Sequence, residues 1–200
     1  MQPERDAFLS YLQAREKSMI KSLSWVLLLL LPIGMACGGK DSGRYDQNIS
    51  VPEGDPAFPP LGTSWIIDNV NILSLETIRT GDAICQKLKE DGIAEMVVVL
   101  IDSVKHPVDW ATHYGRWLGL GRKGMSTEGG NNGVVWLIRP DAAEKLTISV
   151  GRGLPQFATT DYGAIMDNTI EYFNFGNFDR GVVELVQETD KVLRNIYGKQ

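Results

Sequence analysis

Along residues 74–91, Leu75, Ile78, Asp82, Cys85 and Leu88 fall three or four apart, which predicts an amphipathic helix with Ser74 as its N-cap and Asp91-Gly92 as its stop. Residues 94–101 then form an unbroken run rich in β-branched side chains, expected of a central strand covered on both faces. Pro107 suits the first turn of a second helix, whose apolar face is Trp110, Ala111, Tyr114, Trp117 and Leu118 and which ends at Gly119-Leu120-Gly121. Residues 134–139 read as a second strand, and the turn at 140–144 leads into Leu146–Val150 as a hairpin. Thr160 can cap a helix through Glu171, and Val182, Leu185, Val186, Thr189, Leu193 and Ile196 mark a last amphipathic helix. The expected fold is α/β, a three-layer sandwich. Its small mixed sheet has a parallel pair, 94–101 and 134–139, joined by a right-handed crossover, plus one antiparallel hairpin strand, with helices on both sides. Val97, Val99, Ile101, Trp136, Ile138 and Ile148 should form its core, and Cys85 should be a small buried hydrophobe.

Upstream the pattern changes. Leu23–Ala36 is uncharged and interrupted by Pro32, and it is shorter than the roughly 20 apolar residues that span a bilayer. Residues 1–36 therefore read as a signal or anchor segment, with Met19 and Lys21 supplying a start and a basic flank. The run closes on Gly34-Met35-Ala36-Cys37-Gly38-Gly39, similar to a bacterial lipobox, with acylated Cys37 as the mature N-terminus. Gly34 stands where that pattern usually has Leu, and Gly34-x-Ala36 also suits ordinary signal peptidase; an uncleaved anchor is the third alternative. Residues 37–62 hold four prolines and little apolar periodicity, so a flexible tether is expected there, ahead of one domain over 63–200.

Composition narrows the function classes. The chain has 200 residues and a net charge of −5, which offers no polybasic footprint for nucleic acid. With only two cysteines and two histidines the chain shows no Cys/His quartet, and a structural zinc site is not expected. His106 precedes Pro107, off the helix that carries His113, so a shared imidazole metal site is not expected. No GxSxG, Walker loop or CxxC occurs, and Asp102-Ser103-Val104 lacks the second aspartate of a DxD phosphatase motif.

Several elements together resemble the TPM-domain family. These are Trp65–Asn69 with Leu73-Ser74, the strand from Met96 to Ile101, Tyr114 to Trp117 before Gly119-Leu120-Gly121, Gly130–Val135, Val150–Leu154, Thr160-Asp161 and Phe178–Gly181, in order across about residues 64–197. The family includes thylakoid-lumen and photosystem II accessory proteins and a receptor modulator. The resemblance implies a membrane-anchored domain facing a periplasm, lumen or the outside, with divalent-metal binding, calcium in particular, or acid-phosphatase activity. Pro155 stands where the family's VGxGLE element carries an acid, which removes one ligand or catalytic carboxylate.

The candidate ligands are hard oxygen donors, suited to calcium rather than zinc. Topology divides them between two edges of the sheet. Asn131, Asn132 and Asp161 should meet beside Gly151–Gly153 at one edge, the favoured metal site; Asp68 and Asp102 should lie at the other. Turn geometry for the asparagines and a helix-dipole role for Asp161 are the structural alternatives. Only Arg122, Lys123 and Arg152 near the first edge could stabilise a phosphoryl group. The expected function is a lipid-tethered, extracytoplasmic interaction module that docks on, assembles or stabilises an integral membrane complex, with weak calcium binding; the alternative is a metal-dependent acid phosphatase.

Overall fold

The computed structural model describes residues 45–121 and 130–198. The elements are β1 (Ile66–Asp68), α1 (Leu75–Glu90), β2 (Glu95–Leu100), α2 (Pro107–Leu118), β3 (Gly133–Ile138), β4 (Leu146–Val150), α3 (Thr159–Asn174) and α4 (Phe178–Tyr197). They build an α/β sandwich around a four-stranded sheet of order β1-β2-β3-β4. β2 and β3 run parallel with Val98 beside Trp136, and β4 lies antiparallel to β3 with Ile148 beside Trp136. The parallel pair and the hairpin follow the hydrophobic pattern.

β1 is a fourth strand that the pattern did not disclose: it pairs parallel to β2, Ile66 with Val98 and Asp68 with Leu100. Three residues are too few to show a period. Its start is held from outside, because the Asp82 carboxylate accepts the amides of Trp65 (2.6 Å) and Ile66 (3.0 Å) and the hydroxyl of Ser64 (2.9 Å). That explains an acid on the inner stripe of α1. Met96–Leu100 and Val134–Ile138 are buried, whereas Ile148 is only half-buried because β4 is an edge strand. Cys85 is fully buried, and burial pushes its thiol pKa well up.

One face of the sheet is covered by α2, which packs on β3 and β4. The other carries α1, against β1 and β2, and α4, which packs on α1 and takes the Trp136 indole hydrogen bond on Thr189 (3.1 Å). α3 packs mainly on α4. Its first turn is closed by Asp161, whose carboxylate accepts the Ala158 amide (2.8 Å), so Thr160 is not the cap.

The expected flexible coil over 37–62 does not hold for its described part. Residues 45–61 form a strap that runs up the outer side of α2 and returns. Tyr45 stacks on Trp117 at 4.2 Å, and the Ser50 carbonyl meets His113. Asp55 takes the amides of Lys105 and His106, and Phe58 packs on Trp110 and Tyr114. The Trp110 indole and Tyr114 hydroxyl donate to the carbonyls of Pro56 and Pro59, both at 2.9 Å. Prolines lower the entropy lost on ordering, and two buried aromatic donors need acceptors, so a segment poor in apolar periodicity is still held. Residues 1–44, with Cys37, lie outside the described residues.

Candidate functional site

The N-terminal edge of β2 and β3 is assembled around an acid that begins a strand. Glu95 is buried; its Oε1 pairs with Lys89 (2.9 Å) and its Oε2 accepts the Gly121 amide (2.7 Å). Lys89 also lies over the Trp65 ring, 4.6 Å from its centroid. Glu95 thus ties α1, β2 and the chain leaving α2 to one point. Sequence reasoning missed it because it took Ala94–Ile101 as a uniform apolar run; a single acid at the head of such a run is the signal.

Beside it, Asn131 has a φ of 64° and exchanges backbone hydrogen bonds with two loops. Its amide donates to the Gly121 carbonyl, and its carbonyl accepts the Gly153 amide at 2.9 Å. A Cβ on Gly151 would collide with the Asn131 carbonyl, and one on Gly121, at φ 66°, with the Asn132 and Gly133 amides. These contacts force the two glycine-rich turns together. Asn132 is fully buried, donates to the Ile93 carbonyl (3.0 Å), and leaves its Oδ1 without a hydrogen bond.

In front of these turns opens a cleft of about 510 Å³ between the C-terminal half of α2, the turns around Asn131 and Gly151, and the start of the strap at Asp46 and Ile49. Arg116, Arg152 and Asn131 stand at it, with Thr112 and Ser149, whose hydroxyls lie 3.1 Å apart. Neither arginine enters an ion pair among the described residues. Two guanidinium forks beside hydroxyl donors suit a carboxylate or phosphate. Arg152 was named from the sequence; Arg116 was not, since one arginine on a helix gives no pattern.

The expected ligands are divided between the edges, but not gathered into a cage. Asn131 reaches the cleft, whereas Asn132 points into the core and the Asp161 carboxylate closes α3; no described contact joins Asp161 to either asparagine. At the opposite edge Asp68 accepts the amides of Val70 (3.3 Å) and Leu73 (2.7 Å), and Asp102 that of Asp141 (3.3 Å). Among the described residues no group of three His, Cys, Asp or Glu is arranged to hold a metal. His106 contacts Asp55 and His113 the Ser50 carbonyl, so among the described residues the imidazoles have different partners. Arg122 and Lys123 lie outside the described residues.

A family model for the TPM domain, named TPM phosphatase, matches residues 66–192. The chain belongs to the TPM domain family. The N-terminal domain of a P. gingivalis protein is 21% identical, with a TM-score of 0.58 over 67% of this chain and 84% of its own. The N-terminal domain of the cg2496 protein from Corynebacterium glutamicum is 14% identical, with a TM-score of 0.52 over 76% and 92%. The BA42 protein from the psychrophilic Bizionia argentinensis is 17% identical, with a TM-score of 0.51 over 64% and 85%. At these identities the likeness is one of fold. Among curated proteins no sequence matches.

Proposed function

We propose that this TPM domain is a membrane-held binding module whose cleft takes an anionic group presented by an integral membrane complex. The observation that carries the reading is the pair Arg116 and Arg152 at a cleft of about 510 Å³, with the Thr112 and Ser149 hydroxyls and the Asn131 side chain as further hydrogen-bonding groups. The signal-like run before Cys37 supports export to the periplasmic or outer side, with a lipid on Cys37 as the hold. Weak calcium binding belongs to the same edge, where Asn131 and loop carbonyls supply oxygen ligands. Among the described residues Asp46 is the one acid lining the cleft, since Glu95 is already paired with Lys89 and Gly121, and an affinity on the order of 10⁻⁴–10⁻³ M is expected for so sparse a set.

Capture from detergent-solubilised membranes tests the module: the wild-type chain should retain an integral membrane partner, and the Arg116→Glu, Arg152→Glu double variant should lose it. Equal capture by both would sink the cleft as the docking point. The second reading, a phosphatase, is supported by the same guanidinium pair and by the name of the matching family model. Metal-dependent turnover of a phosphate ester that wild type shows and the double variant lacks would favour it over docking.

A further inference from the structure

The sheet has two outer strands, and they are finished differently. On β1, Ile66 faces outward with both backbone groups, and both are taken: its amide donates to Asp82 (3.0 Å) and Ser64 (3.1 Å), and its carbonyl accepts the Ser64 hydroxyl at 2.7 Å. On β4 the alternation is set by the two hydrogen bonds that flank the strand, Gly151 amide to Gly133 carbonyl and Arg139 amide to Lys145 carbonyl, both 2.8 Å. Thr147 and Ser149 therefore turn their amides and carbonyls to β3, and Leu146, Ile148 and Val150 turn theirs away from the sheet. Among the described residues no group hydrogen-bonds these outward donors and acceptors. Strand edges are normally blunted by charge, proline or a bulge. β4 reads Leu-Thr-Ile-Ser-Val in unbroken register and has none of these. The lysine beside it, Lys145, turns its ammonium back onto the carbonyls of Pro140 and Ala142.

The open edge runs into the cleft, which Ser149, Val150 and Arg152 line together with Arg116. At the other end of β4, Arg139 and Lys145 are engaged with backbone carbonyls while Asp141 and Glu144 are exposed. An acidic group therefore belongs at the Val150 end, beside guanidinium groups that enter no ion pair among the described residues. We propose that β4 takes an extended segment of the partner protein as a fifth strand, through the outward backbone groups of Leu146, Ile148 and Val150, with acidic residues at one end of that segment reaching Arg152 and Arg116. Main-chain hydrogen bonds supply the affinity of such strand addition, and the charge at the cleft selects the segment. The inference rests on the cleft reading above and gives the form in which the partner presents its anionic group.

Amide hydrogen exchange of the full chain reads the edge directly. In the free protein the Thr147 and Ser149 amides should exchange slowly and those of Ile148 and Val150 fast. The probes are two acetylated peptides, Glu-Glu-Thr-Val-Thr-Val-Thr and its reverse, which serve antiparallel and parallel addition. One of them should slow the Ile148 and Val150 amides by about tenfold. Replacing both glutamates of the peptide with glutamine, or Arg116 and Arg152 of the protein with glutamate, should weaken that protection. Ile148→Pro removes an outward donor and spares the bonds to β3, so it should abolish the protection of Val150 and lower membrane-partner capture while Thr147 and Ser149 stay slow. The wild-type measurement stands whether or not that variant folds. A slow Ile148 amide in the free chain, no protection by either peptide, or protection that the glutamine peptides match overturns the proposal. Capture lost in the double arginine variant but kept in a folded Ile148→Pro would strike the added strand and leave the cleft reading standing. Protection of Ile148 and Val150 that rises with protein concentration alone, with a dimer by sedimentation, would assign the edge to a second copy of this chain and overturn the choice of partner.

Discussion

At the C-terminal edge of the sheet, Asp68, Asp102 and Asp179 give carboxylate oxygens to backbone amides of Val70, Leu73, Asp141 and Ser74. At the N-terminal edge, Asn131, Gly151, Arg116 and Arg152 surround an open cleft that Asp46 also lines, and Glu95 is locked under Gly121. Both edges are built from aspartate, asparagine and glycine after strand ends. The difference lies in what the backbone demands. Where loops leave amide donors without partners, short acids are taken up by them and become structural. A site forms where the turns meet that demand from each other's carbonyls and leave a concavity.

That contrast breaks most sharply at Glu95. Replacing it with Ala strands Lys89 and the Gly121 amide, and urea unfolding should show a loss of about 3 kcal/mol. Gly151→Ala follows, because its Cβ must displace the Asn131 carbonyl; about 2 kcal/mol should be lost, with amide shifts centred on residues 130–133. At the other edge Asp68→Ala should cost about 1.5 kcal/mol, the value of hydrogen bonds to a charged acceptor, and leave capture of the membrane partner intact.

A fourth test is pH. The Ser74 amide and the Thr77 hydroxyl hold the Asp179 carboxyl below its ordinary range. A carboxyl depressed by folding stabilises the native state above its unfolded pKa, about 3.9, and loses that contribution as pH falls through the lower folded value. Wild type should therefore lose stability more steeply than Asp179→Asn below about pH 4, and the two should run parallel above it. Parallel curves throughout would remove Asp179 from the acid response. The smallest structural effect belongs to the cleft. Arg116→Glu and Arg152→Glu are exposed changes that should each move stability by less than about 0.5 kcal/mol while abolishing capture. A large loss of stability instead would make the arginines structural and erase the distinction between the edges.

The helices, the central strand and the hairpin were legible because each shows its own period over six or more residues or is punctuated by turn residues. So were the division of Asp68 and Asp102 from Asn131 and the burial of Cys85. β1 was not, since three residues show no period and its place is set by Asp82, 16 positions beyond Ile66. The cleft was legible in part: Asn131 and Arg152 came from the glycine-rich turns, while Arg116 and Glu95 gain meaning only from what folds against them.

The amino-acid sequence by itself determined the alternation of helix and strand, the parallel pair with its antiparallel neighbour, the likeness to the TPM family and the signal-like run before Cys37. These are local matters, written in spacing and residue type. Tertiary structure decided which acids are structural, because a carboxylate's role depends on the amide that distant chain brings to it. It also decided that residues 45–61 belong to the domain: the donors that hold Pro56 and Pro59 are Trp110 and Tyr114, more than 50 positions away. No property of the strap's own residues reports that partnership.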